Sequence, residues 1–227
     1  MRTLAVLSRK GGTGKTTVAV QLAVSAYAAG RRTTIIDLDP QRSALDWRRE
    51  RQGDGPEVMD GKAGGLFTSQ LNARRSGTEL LILDTRASND VESAEAARMA
   101  DFCLLVVRPS FFDVQSIART AELVGNLRKP AYFVVNQAPS RRNGEEPMLI
   151  REAAEMLRSY GVPLAPVGLR YRAAYQNAVR AGRAAQETAP DSLAAFEINT
   201  LWHYVKRELW PAEPCDESVD QMLFAAA

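Results

Sequence analysis

Ser8-Arg9-Lys10-Gly11-Gly12-Thr13-Gly14-Lys15-Thr16-Thr17 is the stretch that decides the fold. Before it stands Leu4-Ala5-Val6-Leu7, an apolar run that predicts a buried parallel strand. After it, Val18, Leu22, Ala23 and Ala26 share one helical face, and Gly30 supplies a stop. Three glycines therefore sit where a strand turns into a helix N-terminus, the context a phosphate-binding loop requires. Lacking Cβ atoms, Gly11, Gly12 and Gly14 let backbone N–H groups converge on phosphate oxygens. The positive end of the helix dipole adds to that attraction. Lys15 is placed to reach the β- and γ-phosphates of a nucleoside triphosphate, and the Thr16 hydroxyl to bind Mg²⁺. Thr13 lies in the same cradle, and Thr17 is placed to donate to the α-phosphate. The common spacing G-x-x-x-x-G-K-[ST] is not met, because its first glycine would fall at Arg9. A second lysine, Lys10, stands ahead of Lys15 instead.

Outward from this loop, apolar runs alternate with helical patterns. Strands are expected at 3–7, 33–37, 80–84, 102–107, 131–136 and 162–168. Helices are expected at 15–29, 42–51, 66–75, 91–100, 114–127, 147–160, 173–181 and 192–209. The alternation predicts an α/β fold of three layers, a mostly parallel sheet with helices on both faces. One domain is expected over 1–210, followed by a loose tail over 211–227 that carries four acids and no base. Cys103 and Cys215 give no metal-binding spacing, and Cys103 falls in an apolar run as a buried thiol, which suits a reduced, cytoplasmic setting. No apolar stretch approaches about 18 residues, so no membrane span is expected, and a strand at the very start leaves no room for a signal peptide. A net charge of +2 does not by itself imply nucleic acid.

Acids at strand ends carry the remaining chemistry. Asp37 and Asp39 follow Ile35-Ile36, and Asp84 closes Leu80-Leu81-Ile82-Leu83. In open α/β sheets ligands bind outside the carboxyl ends of strands, and an acid at such an end is the Walker B arrangement that holds Mg²⁺. The sole histidine, His203, lies beside Trp202 and Tyr204 and reads as packing. Phosphoryl transfer needs positioning and charge neutralisation more than a nucleophile set, so this inventory suffices.

The stretch K-G-G-x-G-K-T-T over 10–17 resembles the deviant Walker A motif of the ParA/MinD family of ATPases. The D-x-D-P-Q of 37–41 resembles that family's first switch region, and 80–85 its Walker B strand; the resemblance spans roughly residues 1–190. It implies ATP and Mg²⁺ as cofactors and a homodimer formed on ATP binding, with Lys10 crossing to the partner's phosphates. It implies that Asp37 orders the Mg²⁺ shell through water, that Asp84 does likewise, and that Asp39 orients or activates the attacking water. Asn136, at a strand end, reads adenine by the resemblance, or caps the strand. Leu169 lies over the base, although 168–170 lacks the family's frequent proline. Arg86-Ala87 departs from the family's Pro-Pro at the second switch. Pro109-Ser110-Phe111-Phe112-Asp113 resembles a P-S-x-x-D segment near the dimer face, where each phenylalanine is either an interface anchor or core.

Arg170, Arg172, Arg180 and Arg183, interleaved with Tyr171 and Tyr175, match the region where partition ATPases bind DNA without sequence preference; the bland reading is a solvated helical face. An acidic tail disfavours a membrane-targeting helix, and Cys103 alone does not supply the ligands of an inter-subunit iron–sulfur cluster. Asp46-Trp47 is similar to a dipeptide of small ParA-like proteins. The resemblance thus implies a ParA-type switch ATPase, weakly active alone and cytoplasmic, nucleoid-associated when ATP-bound. It would bind non-specific DNA, partition or position a plasmid, chromosome or other cargo, and hydrolyse ATP when a ParB-like or other adaptor stimulates it. Two alternatives stay open: a positioning or secretion factor outside partition, and a metabolic ATP-dependent amidoligase of the same P-loop class.

Overall fold

The structure is a computed structural model that describes residues 1–61, 65–87 and 90–213. Six strands form one sheet: β1 (Arg2–Leu7), β2 (Thr33–Asp37), β3 (Glu57–Asp60), β4 (Leu80–Asp84), β5 (Phe102–Val107) and β6 (Ala131–Val135). All pairings are parallel, in the order β3-β2-β4-β1-β5-β6. Around it lie α1 (Lys15–Ala28), α2 (Ser43–Glu50), α3 (Leu66–Arg75), α4 (Asp90–Met99), α5 (Phe111–Asn126), α6 (Met148–Arg158), α7 (Ala173–Arg180), α8 (Ala185–Thr188) and α9 (Leu193–Leu209).

The two-residue period of the strands divides the core between two faces. Leu4, Val6, Ile35, Ile82 and Leu104 pack on one face with α1, α2, α7, α8 and α9. Ala5, Leu7, Ile36, Leu83 and Leu105 pack on the other with α3, α4, α5 and α6. This is the three-layer α/β architecture expected. Strands buried on both sides read as unbroken apolar runs, so the central strands were plain in the sequence. Cys103, in the middle of β5, is fully buried, and burial pushes its thiol up to about 12.

Two strand expectations are corrected. β3 was not foreseen, because Glu57-Val58-Met59-Asp60 is an edge strand with exposed acids at both ends and carries no apolar run. The stretch 162–168 forms no strand. It makes one isolated bridge, Phe133 to Leu164, and two backbone hydrogen bonds with Phe133; the bond to Val135 comes from Leu169, just beyond it. Pro163 and Pro166 have no N–H to give, so a continuous ladder cannot form there. α5 starts earlier than the apolar pattern suggested, because the Ser110 hydroxyl caps it by accepting from the Asp113 N–H.

The segment that follows α9 docks back on the fold. Arg31 reaches both carboxylate oxygens of Glu213 and lies 4.7 Å from the centre of the Trp210 ring. Residues 211–213, expected to begin the tail, are therefore held against the body; 214–227, with Cys215, lie outside the described residues.

One close approach joins α2 to the segment before α8. Gly182 has φ +65°, and a Cβ there would sit 2.3 Å from the Arg51 backbone nitrogen. Around it, the Trp47 indole N–H donates to the Arg183 carbonyl, and Arg51 donates to the Gly182 carbonyl and to Glu187. Gly182→Ala combines a disfavoured φ with a clash against backbone. Its expected cost is about 2–4 kcal/mol, read as a Tm lowered by roughly 5–10 °C in calorimetry.

Candidate nucleotide site at the carboxyl edge of the sheet

β1 lies in the interior of the sheet, and its C-terminal end feeds the loop 8–14 directly into α1. Gly12 and Gly14 have φ values of +73° and +86°, and Gly14 is the N-cap of α1. No side chain caps this helix. Its first intrahelical bond runs from the Val18 N–H to the Gly14 carbonyl, so the N–H groups of Lys15, Thr16 and Thr17 have no partner within the helix. An uncapped helix N-terminus behind a glycine loop is an anion site by construction.

The loop is braced from β6. The Asn136 amide donates to the Thr13 carbonyl at 2.7 Å, and the Gln137 amide to the Gly12 carbonyl at 2.8 Å. Asn136 approaches so closely that a Cβ on Gly14 would lie 2.3 Å from its Nδ2. Asn136 is thus positioned as a strut for the loop. Its role at the strand end is a bond across the sheet to Thr13, a partner 123 residues away. The Leu169 side chain is 2 % exposed in the core shared with α1, so what Leu169 can present to a base is its backbone.

Lys15 is buried, and desolvation lowers its pKa while Asp84 and Asp39 pull it back up. Asp84 stands level with Asp37 on the neighbouring strand β2 and with Val6 on β1. It is fully buried, and neither carboxylate oxygen has a hydrogen-bond partner. Burial pushes its pKa up to about 7; the nearby Thr16 hydroxyl and Lys15 oppose the shift, while Asp37 and Asp39 reinforce it. The Thr13 hydroxyl is likewise buried without a partner.

Asp37 performs a task the sequence did not reveal. Its Oδ1 accepts from the Asp39 N–H, and its Oδ2 accepts from the N–H groups of Ala44 and Leu45 at 2.9 and 3.1 Å. Arg42, the N-cap of α2, offers no side-chain bond, so Asp37 caps that helix from the strand end. Burial raises its pKa even against these three donors. Asp39 is half-buried, and its Oδ1 accepts from the Gln41 N–H.

Among the described residues no three acids, histidines or cysteines cluster as a metal cage. The orphaned oxygens of Asp84 beside Thr16 suit a different arrangement. Mg²⁺ bound chiefly by phosphate oxygens and water takes only one or two protein oxygens.

Lys10 does not lie over its own loop. Its ammonium is 3.3 Å from Asp113 Oδ1 and 5.6 Å from the centre of the Phe112 ring. Asp113, 3 % exposed, also accepts from Arg108 Nε. Burial works to raise the Asp113 pKa, but Arg108 and Lys10 outweigh it and hold the carboxyl low. Neither adjacent phenylalanine is core: Phe111 and Phe112 are 61 % and 69 % exposed and meet edge to face. Phe67, Val91 and Met148 are exposed too, each at the start of a helix that follows a strand's carboxyl end. Part of the exposed apolar surface therefore lies on the edge that carries the phosphate loop; Leu193 and Phe196, on α9, are exposed as well. Arg86 is exposed, with its N–H on Glu92.

The arginine cluster splits in two, which corrects the expectation for Arg170 and Arg172. Arg170 is 12 % exposed and spends its guanidinium on Glu146 and the Pro139 carbonyl. Arg172 is held by Glu197, itself buried and bonded to Tyr175. Arg180 and Arg183 remain on the surface.

A glycine loop entering a helix, a buried lysine beneath it and acids on two adjacent strand ends define a P-loop nucleotide-binding protein. Residues 4–184 match the model of the CobQ/CobB/MinD/ParA nucleotide binding domain, and the chain belongs to that family. The maintenance of carboxysome distribution protein A of Halothiobacillus neapolitanus is 28 % identical over 219 residues, covering 89 % of this chain and 95 % of the relative. The solved structure of apo McdA from Cyanothece covers 92 % of this chain and 99 % of its own, at 16 % identity and a TM-score of 0.76. The septum site-determining protein MinD of Pyrococcus horikoshii, solved with Mg-ADP, covers 91 % and 96 % at 16 % identity and a TM-score of 0.69. The last two likenesses concern the fold. No helix among the described residues is long and apolar enough to cross a membrane.

Proposed function

We propose that this chain is an ATP-driven positioning switch of ParA type, which dimerises around Mg·ATP and is reset by hydrolysis. The observation that carries this is the pairing of an unpartnered buried carboxylate, Asp84, with a buried ammonium, Lys15, under an uncapped helix N-terminus. Such a site is costly without a ligand and is relieved by a cation and an anion together. Backbone N–H groups of Gly11, Gly12, Thr13 and Gly14 cradle the phosphates, and Lys15 neutralises the transferred phosphoryl group. Thr16 and Asp84 hold the metal directly or through water. Asp39 orients the attacking water, and Thr17 and Asn136 complete the nucleotide site. Asp37 acts by coupling: it ties the carboxyl edge of β2 to the start of α2. Lys10, already at the exposed edge with Phe111 and Phe112, reaches the partner's phosphates once Asp113 releases it.

The near full-length likeness to a carboxysome distribution protein supports cargo positioning over a biosynthetic ligase. Non-specific DNA as the matrix, an adaptor that stimulates turnover, and nucleoid association in the ATP state belong to the same reading. Surface cations here are narrower than the sequence suggested, and Arg180 with Arg183 carries the DNA contact.

Light scattering after gel filtration tests the cycle with Asp39→Ala, in which hydrolysis is blocked. The expected result is a dimer with Mg·ATP and a monomer with Mg·ADP; a monomer in both sinks the sandwich. On that trapped form, adding Arg180→Ala and Arg183→Ala is expected to weaken binding of random duplex DNA by about tenfold and to flatten its salt slope. Arg170→Ala instead lowers Tm, because it leaves the Pro139 carbonyl without this donor and Glu146 with Arg141 alone.

A further inference from the structure

Arg108 is absent from the site read in the sequence, yet the fold brings it to the phosphate loop. It follows β5, which pairs with β1 on the side away from β4. That register sets Leu7 opposite Leu105, so Arg108 leaves its strand beside the loop that follows β1. Its Nε is pinned on the buried carboxylate of Asp113 in the first turn of α5. The other edge of the guanidinium points at the loop: Nη1 lies 3.8 Å from where a Cβ on Gly12 would be. Among the described residues, Nε is the nitrogen of Arg108 that has a hydrogen-bond partner, and both Nη groups are open.

A planar guanidinium fixed along one edge, with its fork free, is preorganised for two-point recognition of phosphate. Lys15 is buried, while Arg108, beside Gly12, is 37 % exposed, so the loop has one buried and one solvent-facing cation. We propose that Arg108 is a nucleotide-binding residue, donating its free Nη edge to a phosphate of the nucleotide held in its own chain's loop. This rests on the nucleotide reading above. The competing role is purely structural, a counter-ion for buried Asp113.

The test is the affinity of the unmodified chain and its Arg108→Lys, Arg108→Gln and Lys15→Ala variants for N-methylanthraniloyl ATP and ADP with Mg²⁺. Protein is kept dilute enough to be monomeric, and the unliganded Tm of each variant is recorded. Arg108→Gln is expected to lose about tenfold or more in affinity and to show a shallower salt dependence. Arg108→Lys falls between, because it keeps the charge and loses the fork. Binding by Arg108→Gln within about twofold of wild type, whatever its Tm, overturns the proposal in favour of the counter-ion role. Repeating the titration at concentrations where the ATP dimer forms separates cis from trans: a loss that appears only there overturns the assignment to the same chain's nucleotide. If the unmodified chain binds no better than Lys15→Ala, the nucleotide reading itself fails and this inference falls with it.

Discussion

Asp84→Asn is expected to make the nucleotide-free protein more stable and to remove its Mg²⁺-dependent turnover. The wild-type carboxylate is fully buried with both oxygens unpartnered, and its pKa is pushed up to about 7 by that burial. Ionising it in the folded state therefore costs stability, on the order of 2–4 kcal/mol near pH 8. That figure already contains the attraction of Lys15, which acts against the shift. Asparagine keeps the shape and removes the charge, so the apo Tm in chelator should rise by roughly 5–10 °C. The folded pKa lies above the unfolded one, so protonation of Asp84 stabilises the fold fully below about pH 4, and this contribution is lost as pH rises through about 7. The gain from Asp84→Asn should accordingly grow from near zero at about pH 4 to its full value above about pH 7. On the switch reading proposed above, in which Asp84 helps hold Mg²⁺, turnover should fall by roughly a hundredfold. An apo Tm that drops at pH 8 would show that Asp84 has a partner after all.

Gly14→Ala is the second large effect, in the opposite direction for stability. Gly14 sits at φ +86°, and its missing Cβ is where Asn136 Nδ2 stands at 2.3 Å. The substitution must both strain the backbone and push away the strut that holds the Thr13 carbonyl. Nucleotide affinity should fall by roughly a hundredfold or more, and stability by about 2–4 kcal/mol. Adding Asn136→Ala opens the space without relieving the φ strain. The double variant is expected to recover part of the stability and little of the affinity, because the loop is then unbraced. Equal recovery of both in calorimetric titration would mean that Asn136 is only an obstacle there.

What the sequence disclosed follows from what is local in it. The loop 8–17 needs only its own spacing, and strands buried on both faces announce themselves as apolar runs. Acids at strand ends were equally visible. The task of Asp37 was hidden, because it depends on where α2 begins relative to β2. The arginine cluster misled for a related reason: Arg170 and Arg172 are close in sequence, but their carboxylates, Glu146 and Glu197, arrive from 24 and 25 residues away. A basic stretch is not a basic surface until the acids folded against it are known. Arg108 lay outside the motif because only the β1–β5 register brings it beside Gly12.

The packing around Trp47 has an optical consequence. Its ring is 2 % exposed, its indole N–H is bonded to the Arg183 carbonyl, and the Arg51 guanidinium lies 5.5 Å from the ring centre. The helix that carries it starts on the two N–H groups held by Asp37. Trp202, within α9, and Trp210, its C-cap, meet edge to face. One native fluorophore thus stands between the acid at the end of β2 and the segment that presents Arg183. Any shift of α2 changes its hydrogen bond and its neighbouring charge together, so its emission registers that shift without an added label.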